Sequence, residues 1–189
     1  MKIPEEVLVW SFGGKAGKVK SQNEYSTDNS GNGYNMHCRT NDRFLTYVKT
    51  TAGISLGYES SKDHKIHFRV MDGKERPILS GEKVAFGIGG GNAFLRYAHR
   101  TVGINLDWSG NPIFEWLIYS SSANKGEPIP TGSPVAMINE KVQPDADFLV
   151  YMDRPGVAHV GWTSSPDWRK KITNWLTEEA FKKLVGGLL

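Results

Sequence analysis

The chain repeats one pattern, Phe-Leu-x-Tyr, at Phe44-Leu45-Thr46-Tyr47, at Phe94-Leu95-Arg96-Tyr97 and at Phe148-Leu149-Val150-Tyr151. The three tyrosines lie fifty and fifty-four residues apart, so the spacing is nearly constant. A motif that recurs at such a period indicates a repeated supersecondary unit. The sequence therefore predicts three copies of one unit of about fifty residues.

A second segment follows each of these stretches at a fixed distance. The three segments are Gly53-Ile54-Ser55-Leu56, Gly103-Ile104-Asn105-Leu106 and Val157-Ala158-His159-Val160. Their two-residue alternation is typical of a half-buried strand. A large aromatic residue stands eleven positions past each tyrosine, namely Tyr58, Trp108 and Trp162.

Two further segments complete each copy. The predicted first strands begin at Tyr34, Val84 and Val135, and the predicted fourth strands are Phe68-Arg69-Val70, Phe114-Glu115-Trp116 and Trp168-Arg169-Lys170. Residues that favour turns, mainly Gly, Asn, Asp and Pro, separate the strands of a copy. The chain is therefore predicted to be all-β, with four short strands in each copy.

Three copies with four short strands each resemble a β-trefoil, across copies at 34–82, 83–133 and 134–172. The resemblance implies a six-stranded barrel that is capped by three hairpins and has no free sheet edge. The repeat is similar to fascin-like, cytokine-like or lectin-like trefoils. It departs from the ricin-type family, because Gln22 and Gln143 are the only glutamines and no Gln-x-Trp motif is present.

Two segments lie outside the repeat. Residues 1–33 contain the apolar run Val7-Leu8-Val9-Trp10, which predicts a strand, and then a polar, glycine-rich arm. Residues 173–189 predict a short helix that packs on the barrel. Thr177 is placed to cap this helix, acidic residues occupy its first turn and Gly186 ends it.

Composition narrows the class of protein. With 11% aromatic residues and a net charge of only +3 over 189 residues, a disordered chain is excluded. Cys38 is the single cysteine, so neither an internal disulfide nor a thiolate zinc site is expected. Residues 168–189 carry five cations against two acids, and the rest of the chain is balanced. A neutral body predicts no nucleic-acid partner.

The first residues carry acids where a signal peptide would start its apolar segment, which predicts a cytoplasmic protein. Export by a route without such a signal stays open. No nucleophile, base or metal set is evident, so the sequence predicts neither an enzyme nor a cofactor or metal site. His37 and Cys38 are neighbours in a predicted strand and would point to opposite faces.

The polar and aromatic residues of the second and third copies suggest a sugar site, because aromatic rings stack on pyranoses while polar groups bind hydroxyls. The candidate ligand-binding residues are Asn105, Asp107, Trp108, Asn111, Glu115, Trp162 and Asp167. An alternative remains for the aromatic residues. Because Tyr58, Trp108 and Trp162 recur in one register, they are also expected as shared core or cap residues.

The expected function is that of a non-catalytic, carbohydrate-binding β-trefoil lectin whose partner is a glycan or glycoprotein. The alternative is a protein-binding β-trefoil, such as a protease inhibitor, a cytoskeletal binder or a toxin component. Loops at 59–65 and 119–130 would then form the contact surface. The basic C-terminal segment could also touch a membrane, although a short capped helix more often packs on its own domain.

Overall fold

A computed structural model describes residues 3–12, 36–49, 54–60, 66–72, 77–88, 93–101, 103–130, 132–142, 148–153 and 159–164. This part of the chain is all-β, apart from one 3-10 turn at Glu5–Val7. The strands are β1 (Trp10–Phe12), β2 (Met36–Cys38), β3 (Arg43–Tyr47), β4 (Leu56–Glu59), β5 (Ile66–Val70), β6 (Glu82–Ile88), β7 (Phe94–Tyr97), β8 (Leu106–Ser109), β9 (Trp116–Ser120), β10 (Pro134–Asn139), β11 (Phe148–Tyr151) and β12 (Val160–Thr163). Within these ranges no helix is both long and apolar enough to cross a membrane.

All strand pairs are antiparallel and belong to one twelve-stranded sheet. The main path runs β4-β3-β2-β1-β10-β9-β6-β7-β8. Strand β5 pairs with β6, and β11 pairs with both β10 and β12. Among the described residues β2 and β5 do not pair, so the sheet is open between them.

The three Phe-Leu-x-Tyr stretches form the first strands of three hairpins, β3–β4, β7–β8 and β11–β12. The hairpins share one register, with the pairs Leu45–Tyr58, Leu95–Trp108 and Leu149–Trp162 at the same position. All three leucines are fully buried. The same residue types thus place an aromatic side chain opposite a core leucine in each hairpin.

The predicted bounds of several strands were wrong by two or three residues. Strands β4 and β8 begin at Leu56 and Leu106, the last residues of the predicted segments. The N–H of Leu56 donates to the carbonyl of Ile54 at 2.8 Å, and Leu106 repeats this with Ile104 at 2.7 Å. Such three-residue turns let the isoleucines pack inward without pairing, so an alternating pattern continues outside the strand.

The predicted fourth strand of the second copy is displaced in the same way. Strand β9 begins at Trp116, where the predicted strand ended. The N–H of Glu115 donates to the carbonyl of Ile113 at 3.1 Å, which is again a three-residue turn. The turn precedes the strand, so Phe114 lies before β9 rather than in it.

Strand β1 takes a place that the sequence did not predict. Trp10 pairs with Val135 of β10 and with Cys38 of β2, as Trp116 of β9 pairs with β6 and with β10. The indole N–H of Trp10 donates to the carbonyl of Leu149 at 2.7 Å. The indole of Trp116 makes the same bond to Leu95, also at 2.7 Å. Strand β1 therefore contacts the third hairpin in the same way that β9 contacts the second, through a tryptophan that binds the leucine of the hairpin.

The predicted fourth strand at 168–170, the helix at 173–189 and the arm at 13–33 lie outside the described residues. Of the predicted N-terminal strand, only Trp10 is in β1. Val7 ends the 3-10 turn, and the buried Leu8 and Val9 connect it to the strand.

The core is rich in aromatic side chains. Phe68 and Phe86 are stacked at 5.1 Å, and Phe86 meets Trp116 edge to face at 5.5 Å. Trp10 and Trp116 are completely buried. Rings of this size bury large apolar areas and favour such offset and edge contacts. These ring contacts thus fix β5, β6 and β9 relative to one another.

Candidate functional site

The three hairpins differ at the variable position of Phe-Leu-x-Tyr. Thr46 and Val150 are 0% and 5% exposed, so this position is buried in the first and third hairpins. The second hairpin has Arg96, whose side chain is 44% exposed. A position that is apolar or small in two hairpins is therefore charged and accessible in the second.

The residue opposite this position differs as well. Gly57 and Gly161 face Thr46 and Val150, whereas Asp107 faces Arg96. A Cβ on Gly57 would lie 2.6 Å from Cγ2 of Val48, so no larger residue fits there. In the second hairpin the short Ala98 follows the tyrosine where the first has Val48, which leaves room for the side chain of Asp107.

Asp107 binds two guanidinium groups. Nη2 of Arg96 lies 3.3 Å from Oδ2 of Asp107, and Nη2 of Arg100 lies 3.0 Å from Oδ1. The backbone N–H of Arg100 donates to Oδ1 of Asn105 at 2.9 Å. We call these four residues, Arg96, Arg100, Asn105 and Asp107, the arginine cluster.

The charge of the cluster is stable at neutral pH. Partial burial raises the pKa of Asp107, but the hydrogen bond from the Trp108 backbone and the contacts with Arg96 and Arg100 outweigh it and lower the pKa below its usual value. The carboxylate is thus ionised. Two guanidinium groups against one carboxylate leave the cluster with one net positive charge.

Trp108 does not join the cluster. It follows Asp107 in β8, and neighbouring strand residues point to opposite faces. Its ring contacts Tyr47 of the first hairpin at 5.9 Å, and its indole nitrogen is buried with no acceptor among the described residues. Asp107 and Trp108, which the sequence placed in one sugar site, therefore lie on opposite faces of the second hairpin.

The equivalent aromatic residues are also half-buried against the core. Trp162 is stacked on Trp116 at 6.0 Å. Tyr58 contacts Tyr151 at 5.6 Å, and its hydroxyl donates to the carbonyl of His159 at 3.2 Å. These contacts support the interpretation of Tyr58, Trp108 and Trp162 as shared cap residues, although each keeps part of its surface exposed.

The other predicted site residues are dispersed. Glu115 is 4% exposed, and its carboxylate accepts hydrogen bonds from the backbone N–H of Tyr97 and, at 2.9 Å, from Nδ2 of Asn139. It therefore links β7 to β10 inside the protein. Asn111 lies in an exposed turn, where its backbone bonds with Ser109. Asp167 lies outside the described residues.

Within the described ranges no group of three or more His, Cys, Asp and Glu side chains could hold a metal ion. Burial raises the pKa of the Cys38 thiol more than the hydrogen bonds from Asn41 and Thr40 lower it. The thiol therefore stays protonated and is a poor nucleophile. Nε2 of His37, in β2, lies 3.0 Å from Oδ1 of Asp42, in the turn that follows this strand.

Of the predicted site residues, the structure brings Asn105 and Asp107 together, through Arg100. The predicted site did not include Arg96 or Arg100, because a sugar site is expected to combine aromatic rings with Asp and Asn side chains. A signal was present, since Arg96 stands in the repeated pattern where the other copies have Thr46 and Val150. No protein-family model, curated protein or solved structure gives a significant match to this chain.

Proposed function

We propose that the chain is a β-trefoil recognition module that binds carbohydrate through the arginine cluster, without catalysis. A β-trefoil barrel of β1, β2, β5, β6, β9 and β10 requires six neighbour contacts. The pairs β1–β2, β1–β10, β9–β10, β6–β9 and β5–β6 supply five of them. The proposal adds the sixth, between β2 and β5. The common register of the three hairpins supports the same assignment.

One observation carries the functional part of the proposal. A half-exposed polar cluster replaces small or apolar residues in the second hairpin, where the first and third have Thr46 with Gly57 and Val150 with Gly161. The fold does not require the charges, since two hairpins pair in the same register without them. A charged departure from a repeated structural pattern is best explained by binding.

The energetics agree with this interpretation. The Nε of Arg96 is buried and has no acceptor among the described residues, which costs about 1–3 kcal/mol. The ion pairs to Asp107 are partly exposed, and such pairs contribute only about 0–1 kcal/mol. Stability alone therefore gives little reason to keep Arg96.

The chemistry of the cluster suits hydroxyl-rich ligands. Asn105 supplies an amide, Asp107 a carboxylate and the arginines several N–H donors, which are the polar groups that fix sugar hydroxyls. The cluster is built on paired strands, and its side chains hold each other in place. Preorganised groups lose less conformational freedom on binding, which raises affinity.

A broad glycan array tests the proposal with the wild-type chain and with the double variant Arg96→Val, Asp107→Gly. The variant copies the residues of the third hairpin, so it should fold with a near-unchanged thermal midpoint and lose glycan binding. Arg43→Gln, at the exposed start of β3, is the matched control and should bind as the wild type does.

If the chain bound no glycan on the array, the carbohydrate proposal would be refuted. Binding that survives in the double variant would place the site elsewhere on the surface. A partner that is captured from lysate and stays bound in excess mixed sugars would instead favour a protein-binding trefoil.

A further inference from the structure

The arginine cluster has more donors than its own carboxylate can use. A guanidinium group carries five N–H donors. Among the described residues, the side chains of Arg96 and Arg100 donate hydrogen bonds only to Asp107, each through Nη2. Several N–H groups of the two arginines therefore have no protein acceptor in this part of the chain, and both side chains are at least one-third exposed.

Asp107 is poorly placed to be the main ligand-binding group. Oδ1 accepts from Arg100, Oδ2 accepts from Arg96, and the Trp108 backbone adds a third hydrogen bond to the carboxylate. Most of its acceptor capacity is thus used inside the protein. Asp107 acts as a positioning residue, because its two carboxylate oxygens each bind one of the guanidinium groups.

The geometry of paired guanidinium groups selects for oxyanions. Carboxylate, sulfate and phosphate oxygens match the planar fork of Arg, and a second guanidinium group increases the attraction. The cluster has one net positive charge before any ligand binds.

We propose that the arginine cluster recognises an acidic saccharide, in which a carboxylate or sulfate group binds Arg96 and Arg100. This inference rests on the proposed carbohydrate-binding function and narrows the ligand to one chemical class. Asn105 and the edge of Asp107 then contact neighbouring hydroxyl groups.

The test compares three tetrasaccharides in a titration with the full chain: galacturonate, its carboxyl-reduced galactose counterpart and a sulfated galactose. The acidic probes should bind about ten- to a hundredfold more tightly than the neutral one, because each adds hydrogen bonds between charged groups. Arg100→Gln should weaken acidic binding by about tenfold and neutral binding by a smaller factor, because only the acidic probes pair with the lost charge. Arg43→Gln removes the same charge elsewhere and should change neither.

The outcomes separate this inference from the proposed function. Equal affinity for acidic and neutral probes would overturn the ligand class but leave carbohydrate binding intact. Equal weakening by Arg100→Gln and Arg43→Gln would show general electrostatic attraction and overturn the site. If none of the three probes bound, the acidic-saccharide inference would be overturned, whereas the carbohydrate proposal would be decided separately by the glycan array. A preference for galacturonate over the sulfated probe, or the reverse, would identify the oxyanion and support the inference.

Discussion

Asp107 is held as an anion by its neighbours, and its titration therefore reports whether the arginine cluster forms in solution. Its pKa is lowered, so the stabilisation that it contributes is fully present above its unfolded pKa of about 3.9 and is lost as pH falls through the lower folded value. We predict that the carboxyl carbon of Asp107 titrates below a free aspartate in an NMR experiment. Arg100→Gln should raise this pKa, and an unchanged value would mean that the contact is absent.

The indole groups offer a second test at single positions. Trp116 donates to the carbonyl of Leu95 inside the core, whereas the indole nitrogen of Trp108 has no acceptor among the described residues. Both Trp→Phe changes remove similar volume. We predict that Trp116→Phe lowers the free energy of unfolding by at least about 1 kcal/mol more than Trp108→Phe does, since it breaks a buried hydrogen bond. Equal losses in chemical denaturation would contradict this.

The hairpins show what the sequence could predict. The recurring Phe-Leu-x-Tyr pattern predicted strands that all exist, because a core leucine and the alternation around it are local signals. Strand ends were less predictable. Ile54 and Ile104 continue the alternation while they lie in turns, so the apolar pattern reports burial rather than pairing.

Strand β1 could not be assigned from the sequence. Its partners β2 and β10 lie about 28 and 125 residues away along the chain, and no local pattern specifies such pairings. The arginine cluster was likewise only partly predictable, because one of its contacts is not specified by a local pattern. The repeat itself indicated Arg96 by comparison among copies, but the contact of Asp107 with Arg100 depends on how the hairpin turn folds back.

Strand β1 should be as important to stability as β9, although it lies near the chain terminus. Trp10 is fully buried and bonds to Leu149, just as Trp116 bonds to Leu95. We predict that Trp10→Ala lowers the free energy of unfolding by about 3–5 kcal/mol, the usual cost of truncating a buried aromatic residue. Denaturant titration measures it, with Trp116→Ala as the comparison.

Native-state hydrogen exchange of the Trp10→Ala variant shows which strands depend on β1. Amides of β2 and β10 should lose protection in Trp10→Ala, while those in the β7–β8 hairpin should change less. If Trp10→Ala lowered the free energy of unfolding by less than about 1 kcal/mol, β1 would be a peripheral strand.

Contacts between hairpins are expected to couple the unfolding of the described parts of the chain. Tyr47 of the first hairpin meets Trp108 of the second, and Tyr58 of the first meets Tyr151 of the third. The hydroxyl of Tyr58 also donates to the carbonyl of His159, 101 residues away. Because these contacts join distant parts of the chain, a change at one tyrosine should be felt in the global unfolding transition rather than locally.

The stability of the protein at alkaline pH tests the burial of two tyrosine hydroxyls. Burial, and then the nearby charges of Cys38 and Tyr151, raise the pKa of Tyr58 above the range of a free tyrosine. Burial and the charge of Glu140 raise the pKa of Tyr119 to about 12. A raised folded pKa means that the stabilisation is fully present below the unfolded value of about 10 and is lost as pH rises through the folded value.

The two tyrosines should therefore make the free energy of unfolding fall between pH 10 and 12 by about 1.4 kcal/mol per pH unit for each group. Denaturant midpoints measured at several pH values give this slope. Tyr119→Phe should remove about half of it, because one of the two ionisations is deleted while the bond from Tyr58 to His159 remains. A slope that Tyr119→Phe leaves unchanged would show that burial does not raise the pKa of the Tyr119 hydroxyl in the folded protein.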